Sequence, residues 1–184
     1  MVLVSKVILL MVSPQTYQAD LMDILESVLE NLDKTLMLCF NSTPEYILSQ
    51  MDLMLRDKVI PHRTLFFLDA ASHQKSQLEN VKYLGEETSL EWVELGITEA
   101  ISQFQPRYFI LDSLDSLLGY DDVKKFMQNL INTVNNKSIN SIFLAGADNE
   151  EQELIKDVQR RVNMTFKYEE LRREAADWTE YRLA

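Results

Sequence analysis

Three aspartates close short apolar runs in this chain. Asp69 follows Thr64–Leu68 (TLFFL), Asp112 follows Tyr108–Leu111 (YFIL), and Asp148 stands just after Ile139–Ala145 (INSIFLA). A short apolar run ended by an acid reads as a strand buried on both faces, its first polar residue at the carboxyl end. Open α/β sheets place their ligand crevice along that end. Three carboxylates gathered there would offer a magnesium or calcium ion the oxygen ligands that hard cations take. Polar residues also stop strands with no ligand involved. No metal site is assigned on this pattern, and Asp69, Asp112 and Asp148 are its candidates.

Asp112 is the most informative of the three, because Ser113 and a second Leu-Asp-Ser-Leu-Leu follow it (Leu114–Leu118). In a nucleotide-binding protein an acid so placed faces a magnesium ion, and a phosphate loop after the first strand holds the nucleotide. That loop reads G-x-x-x-x-G-K-[ST]. Its glycines let backbone N–H groups approach the phosphates, its Lys neutralises their charge, and its hydroxyl binds the metal. The same eight places here read Ser13-Pro14-Gln15-Thr16-Tyr17-Gln18-Ala19-Asp20. Ser13 and Gln18 stand for the glycines, Ala19 for the Lys and Asp20 for the hydroxyl. Pro14 removes one N–H donor, and Asp20 would set a carboxylate against a phosphate. Asp20 is also an ordinary first-turn helix acid favoured by the helix dipole. The chain has only four glycines, none among the first 84 residues. Average usage of ~7% would supply about a dozen.

The elements that must position these residues alternate. Strands are expected at Val4–Val12, Thr35–Phe40, Thr64–Leu68, in the Arg107–Leu118 stretch and at Ile139–Ala145. Helices are expected at Tyr17–Leu32, from Thr43 to about Arg56, at Ser89–Phe104, Asp121–Asn135 and Glu150–Arg161. The helical stretches carry apolar residues at three- and four-residue spacing, as in Leu21, Ile24, Leu25, Val28 and Leu29. Thr43 is placed to cap its helix, with Pro44 at the first helical position. Val162–Leu171 and Asp177–Leu183 read as two closing strands joined by Arg172–Ala176, adding an antiparallel edge. The expected fold is one α/β domain over residues 1–184, a three-layer sandwich on a mostly parallel sheet with right-handed crossovers.

This order of elements, the RYFILDSLDSLL stretch (Arg107–Leu118) and the closing strand pair resemble the RecA-like ATPases, most closely the KaiC-type branch. The most specific part is Phe109-Ile110-Leu111-Asp112-Ser113-Leu114, which is similar to that branch's Walker B strand. The resemblance covers nearly the whole chain. It implies a sheet order, counting strands along the chain, of 5-1-4-3-2, with the C-terminal strands beyond strand five. It also implies an acid pair after the second strand that activates the attacking water. Asn41 and Ser42 occupy that place, and neither an amide nor a hydroxyl serves as a general base at neutral pH. The expected protein is therefore a catalytically inactive regulatory or scaffolding relative, with no cofactor and no catalytic residue, that works through protein partners or self-association. The alternative is a nucleotide-binding protein or ATPase with an atypical loop, in which Thr16 or amides near Tyr17–Ala19 hold phosphate. A third is a subunit lending Arg160 or Arg161 to a neighbour's nucleotide.

Other chemistry is thinner. A two-component receiver domain needs an acid pair after its first strand and a Lys after its fifth; Ser13-Pro14 and Gly146-Ala147 stand there instead. His62 and His73 are the only histidines, neither with a placed nucleophile, and G-x-S-x-G is absent. The polar residues 74–88 fit a partner-binding arm or a solvated insertion. The net charge of −11 argues against non-specific nucleic-acid binding, which needs a basic footprint. Lys6, Lys34 and Arg107 are all expected at the sheet's amino end, away from the crevice. No apolar run nears the ~20 residues of a membrane span. The N-terminal MVLVSKVILLMVS lacks a basic n-region and reads as a strand rather than a signal peptide. The single cysteine, Cys39, lies in an apolar run and is read as a core residue in a reducing cytoplasm.

Overall fold

The computed structural model describes residues 5–30, 32–54, 64–85 and 89–174. Its elements run β1 (Val7–Val12), α1 (Tyr17–Leu29), β2 (Thr35–Cys39), α2 (Pro44–Met54), β3 (Leu65–Asp69) and β4 (Val81–Tyr83). They continue with α3 (Leu90–Phe104), β5 (Tyr108–Asp112), α4 (Val123–Asn136), β6 (Asn140–Gly146), α5 (Glu153–Arg161), β7 (Met164–Lys167) and α6 (Tyr168–Glu174). All seven strands form one sheet in the order β4-β3-β2-β5-β6-β1-β7, and every neighbouring pair is parallel.

Strands β1, β2 and β5 are buried along their whole length, so both faces need apolar residues, and alternate side chains build two separate cores. Leu9, Leu38, Phe109 and Phe143 point to one face, where α3, α4 and α5 cover them. Leu10, Met37, Ile110 and Leu144 point to the other, under α1, α2 and α6. This is the three-layer α/β sandwich the pattern implies. Helix α3 starts where Ser89 Oγ accepts the Trp92 N–H at 3.3 Å. It stops at Gln105, in the left-handed conformation (φ 50°), just before Pro106. Among the described residues no helix is long and apolar enough to cross a membrane.

Two expectations are corrected. Counted along the chain, the five expected strands lie in the order 3-2-4-5-1 rather than 5-1-4-3-2. β3 pairs on the outer side of β2, and β6 sits between β5 and β1. Apolar runs buried on both faces carry no mark of which strand lies beside which; crossover lengths and handedness decide it. Val81–Tyr83, within the stretch read as an arm or insertion, also form an unforeseen edge strand, β4, with residues 86–88 outside the described residues. The second correction is at the C-terminus. Met164–Lys167 pairs parallel with β1, and Tyr168–Glu174 is a helix, not part of an antiparallel strand pair. Tyr168 and Leu171, three apart, both enter the core, and that spacing suits one helix face. The expected strand at Asp177–Leu183 lies outside the described residues.

Candidate functional site

Parallel strands bring their following loops to one edge of the sheet. Loops of adjacent strands that leave toward opposite faces open a crevice between them. β2 and β5 are such a pair, as are β1 and β6, since α1 and α2 cover one face and α4 and α5 the other. The residues in these crevices belong to the turns after β1, β2, β5 and β6.

Asp112 is the centre of the first cluster. It ends β5, beside Cys39 of β2 in the ladder, and is fully buried. Its Oδ1 accepts the hydroxyl of Tyr17 from the first residue of α1. Its Oδ2 accepts the Ser42 N–H at 3.2 Å. Its backbone carbonyl takes the N–H groups of Phe40 (2.6 Å) and Asn41 (3.0 Å). Burial pushes the Asp112 carboxyl above its ordinary range, and the bonds from Tyr17 and Ser42 pull part of the way back. The Tyr17 phenol is held far above its usual value, by burial first and the Asp112 charge second. Tyr17 therefore stays a donor at every ordinary pH. Ser113 is also buried, close enough to Tyr17 to oppose that rise. Gln18 reaches into the same cluster, its Nε2 3.5 Å from Ser42 Oγ.

The turn at the phosphate-loop position is tight. Thr16 N–H donates to the Ser13 carbonyl at 3.1 Å, and Ser13 Oγ donates to Gln15 Oε1 at 2.5 Å. Helix α1 follows at once, with Ala19 on its first turns. Asp20, almost fully buried, accepts from Thr16 Oγ1 at 2.5 Å and from Arg172 Nη1 of α6 at 3.0 Å. Arg172 also pairs with Asp23 at 3.4 Å. Asp20 is thus tied to the C-terminal helix.

A third acid was not singled out from the sequence. Asp115, three residues past Asp112, accepts the Gly146 N–H at 2.8 Å and Asn149 Nδ2 at 2.7 Å. It ties the turn after β5 to the turn after β6. The repeated Leu-Asp-Ser of residues 111–116 was the visible signal, but its partners are distant in sequence.

The three strand-end acids do not meet at one point. Asp69 and Asp112 flank Cys39 in the ladder, while Asp148 lies past β6, beside Pro14 and Gln15. Among the described residues no three His, Cys, Asp or Glu side chains converge as a metal site. Cys39 is fully buried, and its thiol is pushed well up by that burial and then by the Asp112, Asp69 and Glu45 charges. That makes it unreactive. His73 is exposed on the turn after β3, and His62 lies outside the described residues. Arg160 and Arg161 end α5 at the far edge of the sheet, Arg161 paired with Asp157 at 2.8 Å.

One cation near the crevice was missed. Lys167 ends β7, and with Ser13, Pro14, Gln15 and Asp148 it lines a cavity of about 480 Å³. It pairs with Glu150 at 3.1 Å, and Glu169 and Glu170 share the cavity wall. Its charge is therefore outnumbered there. Comparison with protein-family models and with curated protein sequences gave no match.

Proposed function

We propose that this chain is a non-hydrolysing relative of the RecA-like, KaiC-type ATPases, a regulatory or scaffolding module that acts through protein contacts. One observation carries the reading. Both carboxylate oxygens of Asp112, the acid that would face magnesium, are taken by the chain's own Tyr17 hydroxyl and Ser42 amide. A metal ion would have to displace two hydrogen bonds made inside a buried site. The Ser13–Asp20 turn offers no Lys or Arg in compensation, and Asn41 and Ser42 supply no base.

Lys167 favours a second reading, in which the cavity beside Ser13–Gln15 holds an anionic ligand. Glu150, Glu169 and Glu170 weigh against a polyphosphate there. The deciding experiment is titration calorimetry of the whole protein with ATP and magnesium, repeated with ADP. The expected result is no heat up to millimolar nucleotide. Micromolar binding would overturn the inactive reading and move attention to Lys167.

A further inference from the structure

Between Lys82 and Arg107 the chain holds five Glu and no Lys, Arg or His. Helix α3 carries most of that stretch, and two contacts fix which way it faces. On one side Glu94 Oε1 accepts from Asn129 Nδ2 of α4 at 2.8 Å. On the other, Glu99 pairs with Lys82 of β4. The residues between those two sides, Glu91, Leu95 and Ser102, are exposed and point away from the sheet.

Two large apolar residues stand on this outer surface. Trp92 is 57% exposed and Leu95 47%. They are three residues apart, so their side chains are neighbours on the helix. Among the described residues no other two exposed large apolar side chains lie one turn apart on a helix. Trp is a residue type on which protein interfaces concentrate binding energy. One residue from Leu95, Glu94 opens onto a groove of about 310 Å³ between α3 and α4. Buried Ile97 and Leu130 line it, with Asn129, Asn132 and Asn136. Glu94 is its one charged wall residue. Asn129 engages one Glu94 oxygen and leaves the other to accept a further donor. An Arg or Lys entering the groove would meet a carboxylate and carboxamides and no positive charge.

We infer that this surface docks a basic amphipathic helix of a partner protein, its apolar residues on Trp92 and Leu95 and an Arg or Lys in the groove against Glu94. Charge selects this occupant. An isologous contact with a second copy would set Glu91 against the acids of the same face, and an anionic lipid surface would be repelled. The inference rests on the reading that the chain acts through protein contacts, and it uses none of the Asp112 hydrogen bonds.

The probes are dye-labelled synthetic helices with Leu at i, i+3, i+4 and i+7 and Lys, Arg or Glu elsewhere. Each is titrated against the whole protein by fluorescence anisotropy at physiological salt. The Lys and Arg helices are expected to bind saturably, one per chain, and the Glu helix not at all. Affinity should fall about tenfold in Trp92→Ala and in Leu95→Ala. Binding to Glu94→Gln should be weaker and less salt-dependent. These side chains are at least partly exposed, so the variants should melt with wild type. Leu53→Ala on α2, exposed on the opposite side of the sheet, should bind as wild type does. No binding by either basic helix would overturn the inference. So would binding that Trp92→Ala and Leu95→Ala leave unchanged, because the net charge of −11 would then attract the probe without a site. A wild-type dimer in sedimentation that Leu95→Glu dissociates would also overturn it, and would assign the face to a second copy. Micromolar ATP binding would overturn the inactive reading and leave this one standing; failure of the basic helices would do the reverse.

Discussion

Replacing Tyr17 with Phe removes one oxygen and leaves the ring in place. That oxygen donates a hydrogen bond to Asp112 Oδ1, and Asp112 is fully buried. A hydrogen bond to a charged group contributes about 1.5–3 kcal/mol, and relief of the buried phenol's own desolvation offsets part of that. The expected loss near neutral pH is about 2 kcal/mol, which for a chain of this size lowers Tm by about 4–8 °C. The loss depends on pH in a definite direction. The Tyr17 bond pulls the Asp112 carboxyl down against burial, so the variant's carboxyl sits higher still. A carboxyl raised in the folded state contributes stability that is present at low pH and lost as pH rises through its folded pKa. The gap between wild type and variant therefore widens as pH rises from the ordinary carboxylate range. Urea unfolding across that range, with equal m-values in both proteins, measures it. A double-mutant cycle with Asp112→Asn isolates the pair. A loss under about 0.5 kcal/mol at neutral pH, the size of an ordinary surface change, would refute the argument. So would a loss of the same size in the Asp112→Asn background.

Other outcomes follow from neighbouring contacts. Asp112→Asn removes the raised carboxyl, so its stability relative to wild type should improve as pH rises above the ordinary carboxylate range; a constant difference across pH would count against the assigned burial effect. Arg172→Ala unfastens α6 from Asp20 and Asp23. Arg172 is half exposed, so the loss should be about 1 kcal/mol, a Tm decrease of about 2–4 °C, and a variant melting with wild type would show that the clasp contributes nothing.

Much of the architecture was legible because it rests on local pattern. Both-face apolar runs give the inner strands, and i, i+3, i+4 spacing gives α1, α3 and α4. The error at Tyr168–Glu174 arose where the signals conflict: Met164–Leu171 alternates poorly, and its Tyr168–Leu171 spacing suits a helix face as well as an irregular strand. β4 escaped because three half-buried residues in a polar stretch leave almost no pattern. In the candidate site, Asp112 was readable as a strand-end acid, and the departures from a phosphate loop at Ser13–Asp20 were readable residue by residue. The Tyr17–Asp112 bond joins residues 95 apart in sequence, and Asp20–Arg172 joins residues 152 apart. No local rule pairs them.

By itself the sequence determined the alternation of strand and helix, the two-sided burial of the sheet and the chemistry missing from the turn after β1. These follow from side-chain type and near-neighbour spacing, which act within a few residues. Only the tertiary structure decided which strands lie side by side and that Tyr17 and Ser42 close over Asp112. Those outcomes depend on crossovers that carry distant segments to one edge of the sheet. There burial and hydrogen-bond geometry, rather than sequence neighbours, determine what each polar atom meets.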